Sequence, residues 1–466
     1  MQKHIFSTPK IAIDKYIEFD VKTLWDNIKN KLKAIISQYK NINNICIASV
    51  GESGVLIDKK GNVLGPAITW YDTRTTEQVK YVVNKIGLKR LYEITGIPAH
   101  SNYSINKILW IFENCNLKSQ QGLKWFSMAS FIAYKLSGAA AIDFSLASRT
   151  MTFDLKNKTW SNEILDDLNI ETSLMPDLVE SGEPIGSLNP EIAKEFGTND
   201  KITVSIGGHD HMCGAIATGL FNNSELLDST GTTEGLLMIR NKPGMEQNFL
   251  DRSLSNGIYT LKNFYTLFAS LPAGGLSFEW MKNMFFNNET DFDQIFNRID
   301  SIDSGDMIYI PHLRGSGPPK RCTTTKGIIY GLKDTSSNLQ IAKAVLEGVC
   351  FELKVLYDAM LHGIENKPDS IKVIGSAVKN PVWLQLKADV LNCRIEAYNV
   401  DEAVARGAAL LAAYKCNKIK LSDIKEMNKN QTVSFEPRPE LNSYYNEKFN
   451  SIFKPIYDVS INMRRK

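Results

Sequence analysis

Apolar residues at Leu24, Ile28, Leu32, Ile35 and Ile36 fall on one face of a 3.6-residue period, which predicts an amphipathic helix over 21–37. Residues 9–19 read as extended, and the run 42–50 (INNICIASV) as a strand closed by the turn Gly51-Glu52-Ser53-Gly54. A hairpin over 55–64 follows, then a strand over 67–70 that delivers Tyr71-Asp72-Thr73-Arg74 at its end. Ligands of open α/β sheets collect at such strand ends. Helices are predicted over 77–86, 107–114 and 126–136, a buried strand over 202–206 and an alternating strand over 257–268. Further on, Pro272-Ala273-Gly274-Gly275 opens a helix that runs to 285, and 307–310 is a strand ending in a Gly/Pro-rich loop. The apolar stretch 339–362 is a long core helix. A strand over 371–374, the tight turn Gly375-Ser376-Ala377 and an Asn380-Pro381 helix start come next. The small-residue helix 402–414 has a composition that permits close packing, and Pro455 is expected to stop a last helix over 442–453. Strands alternating with helices imply an α/β protein.

Two neighbouring stretches interrupt this alternation with chemistry. In 205–220, SIGGHDHMCGAIATGL, the glycine pair Gly207-Gly208 is read as a turn that breaks the strand, and Asp210 as the N-cap of a helix of small residues. In 227–236, LDSTGTTEGL, hydroxyls and backbone N–H groups cluster as in a phosphate cradle. An acid beside an anion-binding turn suits phosphoryl transfer to a hydroxyl, since one part accepts a proton and the other holds the departing phosphates. His209, His211 and Cys213 do not make a transition-metal site, because residues two apart diverge once the segment turns helical.

Composition narrows the classes. At 466 residues the chain is too long for one ordinary core, and 43% hydrophobic with 23% charged residues is the balance of a globular protein. A net charge of +3 gives no case for nucleic acid or an acidic membrane surface. No apolar run approaches a membrane span, and the N-terminus lacks a signal-peptide core. Seven scattered cysteines, never in a C-x-x-C pair, suggest reduced thiols and a cytoplasmic location.

Further segments carry a resemblance. Residues 103–114 (YSINKILWIFEN), 327–347 (GIIYGLKDTSSNLQIAKAVLE), Trp70-x-Asp72-x-Arg74 and 375–383 (GSAVKNPVW) stand in the order of the motifs of the FGGY carbohydrate kinases, around the Gly-Gly-x-Asp and Gly-Thr segments above. The chain resembles that family from about Ile11 to about Tyr445. The resemblance implies a two-domain actin/hexokinase-like (ribonuclease H-like) fold, divided at 1–208 and 209–466, with ATP and sugar meeting in the cleft. It implies Asp210 as catalytic base, and Glu52, Trp70, Asp72, Arg74, Asn102 and His211 around the sugar or polyol. Gly231, Thr232, Thr233, Gly275, Ser376 and Asn380 would hold ATP, with Mg²⁺ carried in on the nucleotide and no resident metal. The expected partner is a small sugar or polyol, with no nucleic acid and no membrane, and a homodimer is an option. Ser376 stands where many members have glycine, and Asn102 is unusual in its motif.

The family's opening strand, Asp-x-Gly-Thr turn and second strand have no match after Met1. Two expectations follow: an ATP-dependent kinase whose given sequence is short by roughly 20 residues, or a non-catalytic pseudokinase or sugar or nucleotide sensor. The segments Gly51-Glu52-Ser53 and Trp70-Tyr71-Asp72 differ from glycerol and xylulose kinase pockets, so a less usual ketose, deoxysugar or sugar alcohol is expected.

Overall fold

The computed structural model describes residues 3–117, 119–198, 201–286, 291–364, 367–428 and 432–463. Two large cores form. One, built on residues such as Val55, Trp125, Ile142 and Ile206, fills the N-terminal half; the other, on Leu236, Val349, Ile371 and Phe453, fills the C-terminal half. A smaller third core surrounds the Asp210–Ala217 helix between them.

In the C-terminal half a seven-stranded mixed sheet runs in the order Ser255–Ile258, Tyr265–Leu271, Glu234–Arg240, Glu225–Thr230, Ser370–Gly375, Arg394–Tyr398, Thr432–Phe435. Its central strands are buried throughout, and the helix Asn338–Leu361 packs across it. That helix starts in a capping box: Ser337 accepts the Gln340 N–H, and the Gln340 side chain accepts the Ser337 N–H. The N-terminal half has five small sheets instead among the described residues, three of three strands and two of two. In one of them Thr203–His209 lies between Pro184–Ser187 and Asn44–Ser49. Asn44–Ser49 is an edge strand among the described residues, and a cavity of about 370 Å³ lined by Phe19, Leu24, Ile28, Ile47, Met128 and Ile132 runs beside it.

Several expectations need correcting. Gly207-Gly208 does not end the strand, which continues to His209 through a register shift between Ile206 and Gly208. The glycines serve close approach: a Cβ on Gly208 (φ +116°) would lie 2.4 Å from Ser145 Oγ. His209, not Asp210, is the N-cap residue, so Asp210 begins the helix. Residues 257–268 form two antiparallel strands, Ser255–Ile258 and Tyr265–Leu271, rather than one. The segment 126–136 splits into the strand Lys124–Ser127 and the helix Met128–Ser137, where the Ser127 hydroxyl caps the helix. Beyond the strand Ser370–Gly375 the expected tight turn is the short 3₁₀ segment Ser376–Lys379. At the C-terminus Pro455 stops nothing: Pro439–Lys448 passes through one π-turn into Lys454–Asn462, with the proline in the first turn, where its missing N–H costs no helical bond.

The small-residue helix is Ala403–Lys415, and it crosses the Asp210–Ala217 helix closely. A Cβ on Gly407 would sit 1.7 Å from the Cys213 carbonyl oxygen, so only glycine permits that contact. None of the seven cysteines forms a disulfide. No described helix is long and apolar enough to cross a membrane.

Candidate active site

Asp210 is placed by an anchored strand end. Asp143 is buried and accepts the Ser145 (2.5 Å) and Ser181 (2.6 Å) hydroxyls, and Ser145 Oγ in turn accepts the His209 N–H at 2.9 Å. The His211 N–H lies 2.7 Å from Asp210 Oδ1 and 3.3 Å from His209 Nδ1. The shorter contact takes that proton, leaving His209 Nδ1 to donate to Asp210 Oδ1 at 2.9 Å. Burial alone would raise the Asp210 pKa, but the charge and hydrogen bond of His209, followed by His211, outweigh it and bring the pKa to about 2. The carboxylate is therefore ionised at neutral pH and ready to accept a proton. Burial holds the His211 imidazole below its ordinary pKa, and its Nδ1 is buried without a hydrogen-bond partner among the described residues.

Asp210 opens on a cavity of about 150 Å³. Glu52, Trp70, Asn102 and His211 line it, as expected, and so do Tyr103, Arg149, His209, Thr233, Phe268 and Arg321. Trp70 is 37% exposed and lies edge-on to Tyr71. Glu52 adopts a left-handed backbone (φ 63°), and its Oε1 accepts Arg149 Nε at 2.8 Å and Nη2 at 2.7 Å. The Arg149 guanidinium also lies over the Tyr103 ring. Behind the wall, Lys107 is fully buried and donates to the Asn102 carbonyl; burial lowers its pKa to about 7 against the pull of Glu52 and Asp72.

Asp72 and Arg74 are not brought to the cavity. Asp72 accepts the Ile17 N–H at 2.8 Å and Arg74 Nη2 at 2.8 Å, and Arg74 Nη1 reaches Glu18 at 2.7 Å. Arg74 is sandwiched near Tyr16 and Trp110. The pair ties the Tyr16–Phe19 strand to the chain beyond Ala67–Ile68, a structural clamp that the short Trp-x-Asp-x-Arg spacing concealed.

A second cavity, of about 400 Å³, holds Gly231, Thr232, Gly275, Ser376 and Asn380, walled by Phe278, Phe292, Phe296 and Trp383. Its floor is made by close backbone contacts. The Gly275 N–H donates to the Gly231 carbonyl at 3.0 Å, the Leu276 N–H donates to the Thr232 carbonyl at 3.1 Å, and a Cβ on Gly275 would lie 2.3 Å from the Gly231 oxygen. Asn380 both faces the cavity and caps the Pro381–Leu391 helix, accepting the Trp383 N–H at 2.9 Å. Thr232 faces this second cavity, whereas Thr233, the next residue, faces the first. The expected phosphate turn is thus the partition between the two.

Beneath the partition lies a charge cluster that motif reading missed. Lys387 Nζ, fully buried, contacts both Asp228 and Glu234, on the strands that enter and leave the turn. Burial and the neighbouring Asp228 push the Glu234 pKa up to about 8, so this carboxyl holds its proton at neutral pH. The Lys387 pKa is raised: its two acidic partners outweigh burial. Among the described residues no three His, Cys, Asp or Glu side chains form a metal cage.

Comparison with known proteins gives the family and the fold. Residues 2–217 match the FGGY family of carbohydrate kinases, N-terminal domain, and residues 226–416 match its C-terminal domain. A xylulose kinase of Staphylococcus xylosus is 28% identical over 402 residues, covering 85% of this chain and 82% of that protein. Among solved structures, the gluconate kinase of Lactobacillus acidophilus superposes with a TM-score of 0.89 at 22% identity, over 98% of this chain and 92% of the other. The Plasmodium falciparum glycerol kinase with ADP gives 0.87 at 21% identity, over 97% and 92%. These likenesses bear out the two-domain actin-like α/β fold. The chain belongs to the FGGY family of carbohydrate kinases and is an ATP-dependent enzyme of that class.

Proposed function

We propose that the chain transfers the γ-phosphoryl group of ATP to a hydroxyl of a sugar or polyol, with Asp210 as general base. The observation that carries this reading is the partition: Thr232 and Thr233, consecutive in one turn, face two different cavities, and Asp210 stands in the smaller. In this reading Glu52, Trp70, Asn102 and His211, largely from residues 1–208, hold the acceptor. The turn Gly231-Thr232-Thr233, with Gly275, Ser376 and Asn380, holds the nucleotide from the 209–466 side. A relative solved with ADP supports a nucleotide as one of the two ligands. Mg²⁺ entering with ATP would neutralise phosphate charge, and Asp210 is a carboxylate within reach of that junction in this reading.

As the acceptor oxygen attacks phosphorus, its proton passes to Asp210, and ADP departs along the turn. A base with a low pKa suffices, because positioning and stabilisation of the phosphoryl charge supply most of the acceleration. Asp72 and Arg74 contribute only indirectly, through the clamp described above. The non-catalytic alternative draws no support: the base is ionised and its partners are in place. The test is acceptor-dependent ADP release with Mg-ATP and a panel of pentuloses, hexuloses, alditols and sugar acids. Release dependent on at least one of them is expected; saturable ATP binding with no acceptor-dependent release would refute the reading.

A further inference from the structure

The acceptor cavity holds one guanidinium, exposed at its rim, that has no counter-charge among the described residues. Its two carboxylates are both engaged: Glu52 takes Arg149 through two N–H groups, and Asp210 takes His209 and the His211 N–H. The second guanidinium, Arg321, lines the same cavity and has no hydrogen bond or ion pair among the described residues. The residue is exposed, and its loop is closed by backbone bonds beside it. Flanking it, the Ser316 N–H donates to the Cys322 carbonyl at 2.9 Å and the Cys322 N–H returns to Ser316 at 3.3 Å. Gly315 (φ +80°) turns under that closure, where a Cβ would lie 2.5 Å from the Cys322 oxygen.

The groups that Arg321 feels are Tyr103 and Arg149, which line the acceptor cavity, and His100, hydrogen-bonded to the lining residue Asn102, feels it in turn. It does not line the nucleotide cavity. A neutral polyol would leave this guanidinium facing Arg149 with no anion between them. A guanidinium offers two parallel N–H donors that match a carboxylate.

Resting on the kinase reading above, we propose that the acceptor is a sugar acid: its carboxylate engages Arg321 while one of its hydroxyls is presented to Asp210. This narrows the expected ketose, deoxysugar or sugar alcohol to an anionic polyhydroxy acid.

The test uses the full chain, Mg-ATP, and acceptors paired by carbon skeleton, such as D-gluconate with D-glucitol and D-ribonate with ribitol, together with the matching sugar phosphates. The wild type is expected to favour the acid of its best pair by about 10²-fold or more in kcat/KM. Arg321→Gln should collapse that acid-to-alditol ratio by about 10²-fold, through KM rather than kcat, and Arg321→Lys should restore only part of it. Titration with Mg-ATP shows that each variant is folded. Four results would overturn the proposal. A neutral sugar could match or exceed every acid. A sugar phosphate could be preferred to the acids, placing a phosphate on Arg321. Arg321→Gln could depress acids and alditols equally and raise the KM for ATP, placing Arg321 on the γ-phosphate. These three leave the kinase reading intact. No acceptor-dependent ADP release at all would remove both.

Discussion

In the proposed function the two sides of the partition recognise by different means. The side read as the nucleotide's sets backbone contacts between aromatic walls: glycines pressed against carbonyls, a capped helix start, and a turn bolted to the Gly274–Phe285 helix by two N–H donors. The acceptor side is mostly side chains, arranged as charges that partner one another, Glu52 with Arg149 and Asp210 with His209, with Arg321 left over. The difference has a physical basis. A triphosphate presents the same anionic oxygens whatever the acceptor, and backbone N–H groups hold them without reading identity. Acceptors differ in the placement of hydroxyls and charge, and side chains can discriminate among those.

This contrast can be broken at several points. The largest effect is expected at the junction. Asp210→Asn is nearly isosteric, yet an amide takes no proton at neutral pH, so kcat should fall by about 10²–10⁴-fold with ATP affinity little changed. Steady-state kinetics beside calorimetry separates the two. Next is Lys387→Met, which strands Asp228 and Glu234 as buried acids without a cation. Breaking such a buried cluster costs about 3–5 kcal/mol, so the urea midpoint should drop well below that of the wild type. An unchanged midpoint would mean that the cluster does not brace the turn. Asn380→Ala removes a helix cap and a cavity-lining group together, so about 1 kcal/mol of stability and some ATP affinity should be lost while acceptor preference holds. A change in which sugar is preferred would erase the division between the sides.

The smallest effect concerns pH. Because the Asp210 pKa is lowered to about 2, the base stays ionised as pH falls, and protonation removes it only near that value. Wild-type kcat/KM should therefore show no Asp210 acid limb between about pH 5 and 8. In His209→Gln the side chain whose interactions lower this pKa is gone and burial still raises it, so the acid limb should move up from about pH 2. A pH–rate profile identical to wild type would show that His209 does not tune the base.

What could be read in advance follows the same division. Gly231, Thr232, Gly275 and Asn380 lie in short segments whose glycines, hydroxyls and Asn-Pro start state their purpose locally, and they do meet in one cavity. Asp210 was also legible, although the cap belongs to His209: a strand end with two glycines looks like a turn until the Asp143–Ser145 turn it presses against is known. The acceptor wall is different. Arg149 and Arg321 come from separate segments joined by no motif, and only the fold places both beside Tyr103. Asp72 and Arg74 show the converse error, since their spacing suits a pocket and equally suits the salt bridge they form with each other and Glu18. The strand pair at 255–271 was read as one because its turn interrupts an otherwise continuous alternation.

The central claim is that Asp210 moves a proton while a phosphoryl group crosses the partition from ATP to the acceptor. Its most direct test is mass spectrometry of the acceptor after incubation of wild type and Asp210→Asn with Mg-ATP, each shown by calorimetry to bind the nucleotide. The expected result is an acceptor carrying one new phosphoryl group with wild type and only a trace with the variant. Equal phosphorylated product from both, or ADP released with none of the acceptor modified, would contradict it.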